Sequence, residues 1–374
     1  MKIGMFGNVL NWGYLLGKAL ILSGHEVDLF LKIDENIKCY DPSWEDDDFD
    51  IQSNKWIHYE NLKLSNIFNL RFRSKLLKTM NVFDVLIAIG EYAIWVSQAQ
   101  KPYIVISYGG DLDELLKVKC SVKSILLSRL LKSSFRKAAR FIYALPTQRA
   151  LINKHKIKNS LFKSNVVPID VKKYLMLDDE KKAIFRSKYS EQYVFFHPAR
   201  QEWRLKDSND KGNDRLFYAF ARFVCKNCSN SLLIAIEKGR DVNNSKQLVK
   251  ELGIERNVSW RGEMNKEDLI KMFNSVDALF DQFVYGYYGV LDLEAMSCGL
   301  PVFTYINVET AKNIELPSIF NVSSIDEIYT QMIRFSQGQL EYSPEGLSNW
   351  VKKHHDSNRI ANELIEIINQ YCNA

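Results

Sequence analysis

A segment between two predicted strands carries the residues best suited to bind a phosphorylated ligand. Two glycines, Gly286 and Gly289, precede a short predicted helix, Val290–Ser297, which Gly299 and Pro301 end. Glycines let the backbone approach a ligand closely, and a helix N-terminus presents unpaired N–H groups with a partial positive charge. We therefore expect a phosphate or pyrophosphate group to bind at the start of this helix.

Three polar side chains accompany this helix. Glu294 lies beyond its first turn, where a carboxylate can accept hydrogen bonds from the hydroxyl pair of a ribose or another sugar. Asp281 and Gln282 follow the apolar run Val276–Phe280, at the end of a predicted strand. Polar side chains at the carboxyl ends of parallel strands commonly contact ligands. They also serve as strand-end caps, and the sequence leaves both roles open for Asp281 and Gln282.

The elements that must position these residues alternate along the chain. Lys2–Phe6 predicts a strand, Gly13–Ser23 a helix and Val27–Leu31 a second strand, and the alternation restarts with the strand Tyr193–His197. Strands that alternate with helices predict an α/β fold with doubly wound parallel sheets.

The chain is long enough for two hydrophobic cores. A length of 374 residues favours two domains. We expect a first domain over residues 1–185 and a second over 190–354, and we expect the helix at about 355–374 to return to the first domain.

Positive charge is concentrated in the first half. Residues 51–175 contain about 22 Lys and Arg against about 7 Asp and Glu. Two basic amphipathic stretches, near 61–80 and 115–141, carry much of this charge. Such helices either expose a solvated charged face or lie on an anionic membrane surface, and the sequence leaves both possibilities open. No nucleic-acid-binding motif accompanies the charge, so we expect no nucleic acid partner.

Several other classes of protein are disfavoured. No apolar window of about 18 residues predicts a membrane-spanning helix, and the first residues enter a predicted strand rather than a signal peptide. We therefore expect a cytoplasmic protein. The pair Cys225 and Cys228 lacks two further ligands at zinc-site spacing, so no metal is expected. The loop Gly7–Gly13 lacks the G-x-G-x-x-G fingerprint of NAD-binding proteins.

Several segments together resemble the nucleotide-sugar glycosyltransferases of the GT-B type, nearest to the large retaining family four, the glycosyl transferases group 1. The resemblance covers nearly the whole chain and is most specific between 195 and 305. The segments that carry it are Val167-Pro-Ile-Asp170, Pro198-Ala-Arg200, Lys211-Gly212, Val258-Ser-Trp-Arg-Gly262 and Leu293-Glu-Ala-Met-Ser-Cys-Gly-Leu-Pro-Val302. It implies a GT-B fold, in which two Rossmann-like domains with doubly wound parallel sheets face a central cleft.

The resemblance implies a donor site in the second domain. Arg200 and Lys211 would hold the diphosphate and stabilise the charge that develops as the nucleoside diphosphate leaves, without a metal ion. Glu294 would bind the ribose, and the backbone near Gly262 and Glu263 would meet the base. The remaining expected donor-site positions lie at the helix entrance: Gly286, Tyr288, Gly289 and Val290.

Two positions of this donor site depart from the family pattern. The family usually has a first glutamate at the position of Gly286, so Asp281 and Gln282 become candidate catalytic residues that replace its contact to the donor sugar. The loop after Arg200 is longer than usual, and Lys206 could take the phosphate role assigned to Lys211.

A third departure concerns the acceptor. Tyr108 stands where the family has a first-domain histidine, so Asp111 becomes a further candidate catalytic contact. The expected acceptor-side positions are Gly7, Asn11, Tyr108, Gly109 and Gly110.

The function implied is transfer of a sugar from a UDP- or GDP-sugar to a hydroxyl of a glycan or lipid-linked glycan. Retention of configuration, independence of metals and cofactors, and a place in bacterial surface polysaccharide synthesis follow from the resemblance. The alternative is an inactive sugar-nucleotide-binding or partner protein. Gly286 and Tyr108 favour that alternative, whereas Arg200, Lys211 and Glu294 oppose it. A GT-B-shaped epimerase or phosphorylase is disfavoured, because the acid–base groups or the cofactor lysine that it would need are not evident.

Overall fold

Two parallel sheets organise the chain. The computed structural model describes residues 1–33, 37–112, 116, 122–207, 209–312 and 314–372. The chain divides into a first unit, Met1–Asp170 with His354–Ala374, and a second unit, Val171–Lys353. The predicted α/β fold with doubly wound parallel sheets is confirmed.

The first unit contains a seven-stranded sheet in the order β3-β2-β1-β4-β5-β6-β7. Its strands are β1 Lys2–Phe6, β2 Glu26–Lys32, β3 Ile57–Glu60, β4 Val85–Ile89, β5 Tyr103–Ile106, β6 Arg140–Tyr143 and β7 Ser160–Phe162. The order reverses between β1 and β4. The loops that follow these two strands therefore lie at a topological switch point, where α/β proteins bind ligands.

Helices cover both faces of this sheet. They are α1 Trp12–Leu22, α2 Pro42–Glu45, α3 Leu70–Met80, α4 Ala93–Val96, α5 Val122–Lys137, α6 Arg149–Lys154 and α14 Ser357–Cys372. One apolar core joins α1 and α14 to the sheet, and the other joins α3, α4 and α5 to the opposite face. The alternating orientation of buried strand residues supplies both cores, since successive side chains of a strand point to opposite faces.

The second unit contains a six-stranded sheet in the order β10-β9-β8-β11-β12-β13. Its strands are β8 Tyr193–His197, β9 Ser231–Ile236, β10 Val258–Arg261, β11 Ala278–Phe280, β12 Val302–Thr304 and β13 Phe320–Asn321. Its helices are α7 Asp179–Arg186, α8 Asn213–Lys226, α9 Val242–Glu251, α10 Lys266–Phe273, α11 Val290–Ser297, α12 Ile325–Ser336 and α13 Pro344–His355, which ends just beyond the unit. The strand order reverses between β8 and β11.

The change from the first to the second unit falls after Asp170, whereas the sequence interpretation puts it between 185 and 190. Helix α7 accounts for the difference because it belongs to the second unit. Its last residue, Arg186, donates from Nε and Nη2 to the two carboxylate oxygens of Asp277, at 3.1 Å each.

The basic stretch near 61–80 is not one helix. A 3₁₀ turn, Leu64–Phe68, precedes α3, and Asn69 separates the two. The Asn69 side chain accepts a hydrogen bond from Phe72 N at 3.1 Å, which caps the start of α3.

The basic stretch near 115–141 is also shorter as a helix than expected. Helix α5 lies within it, but Arg140 and Phe141 belong to β6, because Phe141 is fully buried and pairs in register with Val105. Residue 115 and residues 117–121 of this stretch lie outside the described residues. None of the helices in the described part of the chain is long and apolar enough to span a membrane.

Candidate functional site

The loops that follow β8 and β11 meet where the second sheet reverses its order. Lys211 joins them through its backbone: its N–H donates to Glu202 O at 2.7 Å, and its carbonyl accepts from Phe283 N at 2.9 Å. The structure therefore brings Lys211, from the first loop, next to Asp281 and Gln282, from the second.

Lys211 is the cation at the centre of this arrangement. Its Nζ donates to Gln282 Oε1 at 2.6 Å and lies 5.4 Å from the centre of the Tyr285 ring. Burial lowers the pKa of Lys211, and the negative charge of Asp281 opposes that shift. An ammonium group with an amide and a carboxyl group beside it can bind an anion without a metal ion.

Asp281 and Asp292 form a second part of the site. Asp292 Oδ2 accepts from Gly289 N at 2.8 Å, which caps α11, whereas its Oδ1 is buried and has no hydrogen-bond partner in the described residues. Burial raises the pKa of both carboxyl groups, and the charge of Asp281 raises that of Asp292 further. The pair therefore keeps a proton to higher pH than two exposed aspartates would. Sequence reasoning missed Asp292, whose type and position in the first turn of the predicted helix were the available signal.

The loop between β11 and α11 is fixed by backbone and side-chain contacts. Gln282 Nε2 donates to Tyr287 O at 3.0 Å, and the hydroxyls of Tyr287 and Tyr288 lie 3.1 Å apart in a stacked pair. Val290 begins α11 directly after this loop, as the sequence predicts. The loop that leads into α11 is therefore held in place by hydrogen bonds and by the stacked tyrosine pair.

Gly286 has a backbone that a glutamate would not readily adopt. Its φ is +84°, and a Cβ placed on it would lie 3.2 Å from Asn307 Cβ. Asn307 N donates to Gly286 O at 2.9 Å, which holds the two segments together. A glutamate at this position would therefore be strained in this loop conformation.

Glu294 is buried on α11 and forms an ion pair with Lys266, the first residue of α10. Its Oε1 makes this contact. Its Oε2 is buried and has no hydrogen-bond partner in the described part of the chain. Sequence reasoning found Glu294 but not Lys266.

Arg200 and Lys206, the other two cations predicted at the donor site, each contact acidic side chains. Arg200 is exposed, and its Nη1 lies 3.5 Å from the carboxylate of Glu202, which Arg240 also contacts at 3.1 Å. Lys206 points instead to Asp210 and Asp214, at 3.5 and 3.4 Å, from a left-handed backbone with φ of +48°. The structure thus places Lys211, rather than Lys206, against Gln282.

Gly262 and Glu263 follow β10. A Cβ on Gly262 would meet no atom within 4 Å, and Glu263 forms an ion pair with Lys238. Contact of this segment with a nucleotide base stays a prediction.

His197 is a further residue that sequence reasoning missed. Its Nδ1 lies 2.7 Å from Phe280 O and its Nε2 lies 2.8 Å from Asn213 Nδ2, so it links β8, β11 and the start of α8. Asn213 in turn accepts from Glu202 N at 3.1 Å and donates to Arg200 O at 3.1 Å. Burial lowers the pKa of His197 to about 4, so it is neutral at pH 7 and fixes the loop that carries Arg200.

In the first unit, Asp111 is fully buried just after β5. Its Oδ1 accepts from Ser107 Oγ at 2.6 Å and from Gly109 N at 3.1 Å, while its Oδ2 has no hydrogen-bond partner in the described residues. Burial raises the pKa of Asp111 to about 7. Tyr108 donates to Glu91 Oε2 at 3.1 Å, so the residue expected in place of a histidine contacts a carboxylate.

The loop after β1 is compact and conformationally restricted. Gly7 has φ of +93°, and a Cβ there would lie 2.4 Å from the Tyr92 ring; a Cβ at Gly110 would also lie under 3.0 Å from a tyrosine ring. Asn11 has φ of +60°, and its Oδ1 accepts from Asn8 Nδ2 at 2.6 Å. These positions surround the switch point of the first sheet, and their contact with an acceptor stays a prediction.

The described residues contain no group of three or more His, Cys, Asp or Glu side chains placed to hold a metal ion.

Comparison with known proteins gives a family-model match to part of the chain and a fold for nearly all of it. Residues 204–317 match the sequence model of the glycosyl transferases group 1. The sequence has no match among curated proteins.

Solved structures resemble the chain over its full length. The structure of HepE from Anabaena in complex with UDP has a TM-score of 0.71 at 14% identity, covering 99% of this chain and 100% of that one. Sucrose-phosphate synthase from Thermosynechococcus elongatus has a TM-score of 0.67 at 14% identity, covering 99% and 98%. WaaG, a glycosyltransferase involved in lipopolysaccharide biosynthesis, has a TM-score of 0.63 at 14% identity, covering 98% and 99%. The chain therefore has the GT-B fold of these proteins.

Proposed function

We propose that this glycosyltransferase, whose residues 204–317 match the glycosyl transferases group 1, moves a sugar from a nucleoside diphosphate sugar to an acceptor hydroxyl. The observation that carries the proposal is the position of Lys211, whose Nζ contacts Gln282 beside Asp281 and the capped start of α11. A leaving nucleoside diphosphate gains negative charge as the glycosidic bond breaks, and cations held in a partly buried site stabilise that charge.

Three groups would bind the donor. Lys211 and Arg200 would hold the diphosphate, and Glu294 would accept a hydrogen bond from the ribose. HepE has been solved with UDP and with UDP-glucose, which supports a UDP-sugar as donor. Asp281 and Gln282, beside Lys211, would contact the donor sugar attached to that diphosphate. Gln282 then supplies an amide and Asp281 a carboxylate for the sugar hydroxyls.

Retention of configuration and independence of metal ions or cofactors belong to the same proposal. Two cations and a helix N-terminus can replace a metal ion at the diphosphate. With no dedicated base required, the departing phosphate would accept the acceptor's proton as the new bond forms on the same face. The site needs no other cofactor for this step.

The acceptor that we propose is a glycan or lipid-linked glycan of bacterial surface polysaccharide synthesis. The similarity to WaaG, which is involved in lipopolysaccharide biosynthesis, supports this choice. Asp111 and Tyr108 would contact the acceptor, together with the loop of Gly7 and Asn11.

We place the protein on the cytoplasmic face of the membrane through its basic helices. Phe68, Leu70 and Val122 are large apolar residues exposed at 68%, 74% and 84%, and they adjoin basic residues of α3 and α5. Exposed apolar side chains among lysines and arginines favour an anionic lipid surface.

Binding to lipid is tested by sedimentation with phosphatidylglycerol vesicles and with phosphatidylcholine vesicles. We expect binding only to the anionic vesicles, lost on raising salt and reduced by Phe68→Ser with Leu70→Ser. Leu22→Ser is the matched control, since Leu22 is 75% exposed on α1. Equal binding by both vesicle types, or an equal effect of the control, would contradict the proposal.

The transferase reaction is tested with a panel of UDP- and GDP-sugars. We expect slow release of free nucleoside diphosphate from one donor, faster release with an acceptor, no effect of EDTA, and retained anomeric configuration by NMR. Lys211→Met should reduce turnover by about a hundredfold, in the range measured when one charge-stabilising donor is removed, and Lys206→Met should reduce it far less. A larger loss with Lys206→Met would reverse the assignment of the two lysines.

The second candidate is a sugar-nucleotide-binding protein without activity, which the left-handed Gly286 favours. Tight binding of one sugar nucleotide without release of its nucleoside diphosphate, whatever acceptor is added, would support that candidate over the transferase.

A further inference from the structure

Lys266 occupies a position where a lysine needs a specific partner. It is the first residue of α10, directly after the N-cap Asn265, whose side chain accepts from Asp268 N at 2.8 Å. A positive charge at a helix N-terminus is opposed by the helix dipole, and burial adds a desolvation cost. Lys266 is only 8% exposed. The ion pair with Glu294 offsets both costs.

One aromatic contact and one hydrogen bond to a backbone carbonyl fix the surroundings of this ion pair. The Nζ of Lys266 lies 5.7 Å from the centre of the Tyr174 ring, and Tyr174 is 1% exposed. Tyr174 O accepts from Ser297 Oγ at 2.7 Å, which ties this segment to α11, the helix of Glu294. The ammonium group therefore has little freedom to leave the carboxylate.

The two oxygens of Glu294 are not equivalent. Oε1 contacts Lys266, whereas Oε2 is buried without a hydrogen-bond partner in the described residues. Glu294 is 2% exposed. A buried carboxylate oxygen without a partner carries a desolvation cost that a ligand hydroxyl can remove.

We propose that Lys266 is a positioning residue that holds Glu294 through Oε1, so that Oε2 accepts a hydrogen bond from one ribose hydroxyl of the donor. Lys266 already binds Oε1, so Oε2 is the oxygen that has no hydrogen-bond partner in the described residues and that a ribose hydroxyl would satisfy. The inference rests on the proposed nucleoside diphosphate sugar donor and specifies how its ribose is recognised.

The test is a titration of the full chain with UDP, 2′-deoxy-UDP and 3′-deoxy-UDP by isothermal calorimetry, repeated with GDP and its two deoxy analogues. In the wild type, we expect removal of one hydroxyl to weaken binding about tenfold or more and removal of the other to have little effect. In Lys266→Met, we expect UDP to bind about as weakly as the sensitive deoxy analogue binds to the wild type. The preference for that hydroxyl should disappear.

A purely structural role for Lys266 gives a different pattern. Lys266→Met would then weaken all three ligands by the same factor, and this result would overturn the inference. Equal losses on removal of either hydroxyl from the wild-type complex would also overturn it, since both oxygens of Glu294 would then be in use. Absence of binding of every nucleotide to the folded wild type would instead overturn the proposed function, and the inference with it.

Two further variants keep the test decisive. If Lys266→Met does not fold, Lys266→Gln tests the inference in its place. The glutamine amide can still donate to Glu294 Oε1 without the charge, so the hydroxyl preference should be retained, and an equal loss of affinity for all three ligands would overturn the inference. Lys271→Met is the matched control on the same helix, where Lys271 is 44% exposed and pairs with Glu267 at 2.6 Å. The control should leave all affinities, and the hydroxyl preference, as in the wild type.

Discussion

Asp281 and Asp292 are two interacting buried carboxyl groups, and burial raises the pKa of both. The neighbouring Lys211 charge lowers the pKa of Asp281 against the effect of burial, whereas the charge of Asp281 raises that of Asp292. Of the two, Asp281 therefore ionises more readily, and Asp292 keeps its proton to higher pH. This division of charge predicts that the two residues respond differently to the same substitution.

Asp292→Asn should preserve the site, because an amide can donate to Asp281 and still accept from Gly289 N. Asp281→Asn should weaken UDP binding, since it removes the anion that helps to keep Lys211 charged. Calorimetric affinities for UDP measure both effects. The assignment is wrong if Asp292→Asn is the more damaging of the two.

The same pair predicts a pH dependence of stability. An unfolded aspartate ionises near its ordinary pKa of 3.8, whereas the folded pair retains its proton to higher pH. The folded state therefore binds more protons, and the pair makes the free energy of unfolding fall as pH rises above about 4. Asp292→Asn should remove this contribution, about 1.4 kcal/mol per pH unit. Urea unfolding at a series of pH values compares the slopes, and identical slopes for variant and wild type would contradict the prediction.

His197 should have the opposite effect. Burial lowers its pKa to about 4 from the ordinary 6.5, so the unfolded state binds the extra proton. Its contribution to stability is complete above pH 6.5 and is lost as pH falls toward 4. His197→Asn, which can still donate to Phe280 O, should reduce the acid loss by about 1.4 kcal/mol per pH unit. Unfolding curves between pH 4 and 7 test this, and an unchanged acid loss in the variant would refute it.

Much of the fold could be predicted because its signals are local. Apolar runs predict β1, β8 and β11, and the bounds Val290–Ser297 of α11 agree with the structure. Parallel pairing then places the loops after β8 and β11 together. Elements with weaker signals, such as the two-residue β13 and the capped helix α12, were missed.

The side-chain partners within the site could not be predicted, because each joins common residue types from separate elements. Glu294 and Lys266 are 28 positions apart, and nothing in their spacing identifies them as a buried pair. The choice between Lys206 and Lys211 also lay beyond the sequence, since both belong to one loop. The structure distinguishes the two by their side-chain partners: Asp210 and Asp214 for Lys206, Gln282 for Lys211.

The backbone at Gly286 opposes a glutamate at this position. Gly286→Glu puts a side chain on a backbone with φ of +84° and a Cβ 3.2 Å from Asn307 Cβ. We expect it to lower the free energy of unfolding by about 1–3 kcal/mol and to give no gain in turnover. Thermal unfolding and nucleoside diphosphate release measure the two outcomes. Gly262→Ala is the control for stability, because no atom lies within 4 Å of its Cβ position. If Gly286→Glu turns over faster than the wild type, a glutamate at position 286 contributes to catalysis and the prediction is wrong.

Asp111 and His355 should make opposite contributions to the pH dependence of the first unit. Burial raises the pKa of Asp111 to about 7 and lowers that of His355 to about 4. Asp111 therefore makes the unit less stable as pH rises from about 4 to 7, whereas His355 makes it more stable as pH rises from 4 to 6.5. In the wild type, the contributions of Asp111 and His355 to the pH dependence of the free energy of unfolding nearly cancel.

The single variants Asp111→Asn and His355→Asn should each show a pH dependence of the free energy of unfolding that differs from the wild type. With Asp111→Asn, the free energy of unfolding should rise with pH between 4.5 and 6.5, relative to the wild type, by about 1.4 kcal/mol per pH unit. With His355→Asn it should fall by a similar amount, and the double variant should again resemble the wild type. Urea unfolding of the four proteins tests this. If, relative to the wild type, the free energy of unfolding changes with pH in the same direction in both single variants, one of the two pKa shifts is wrong.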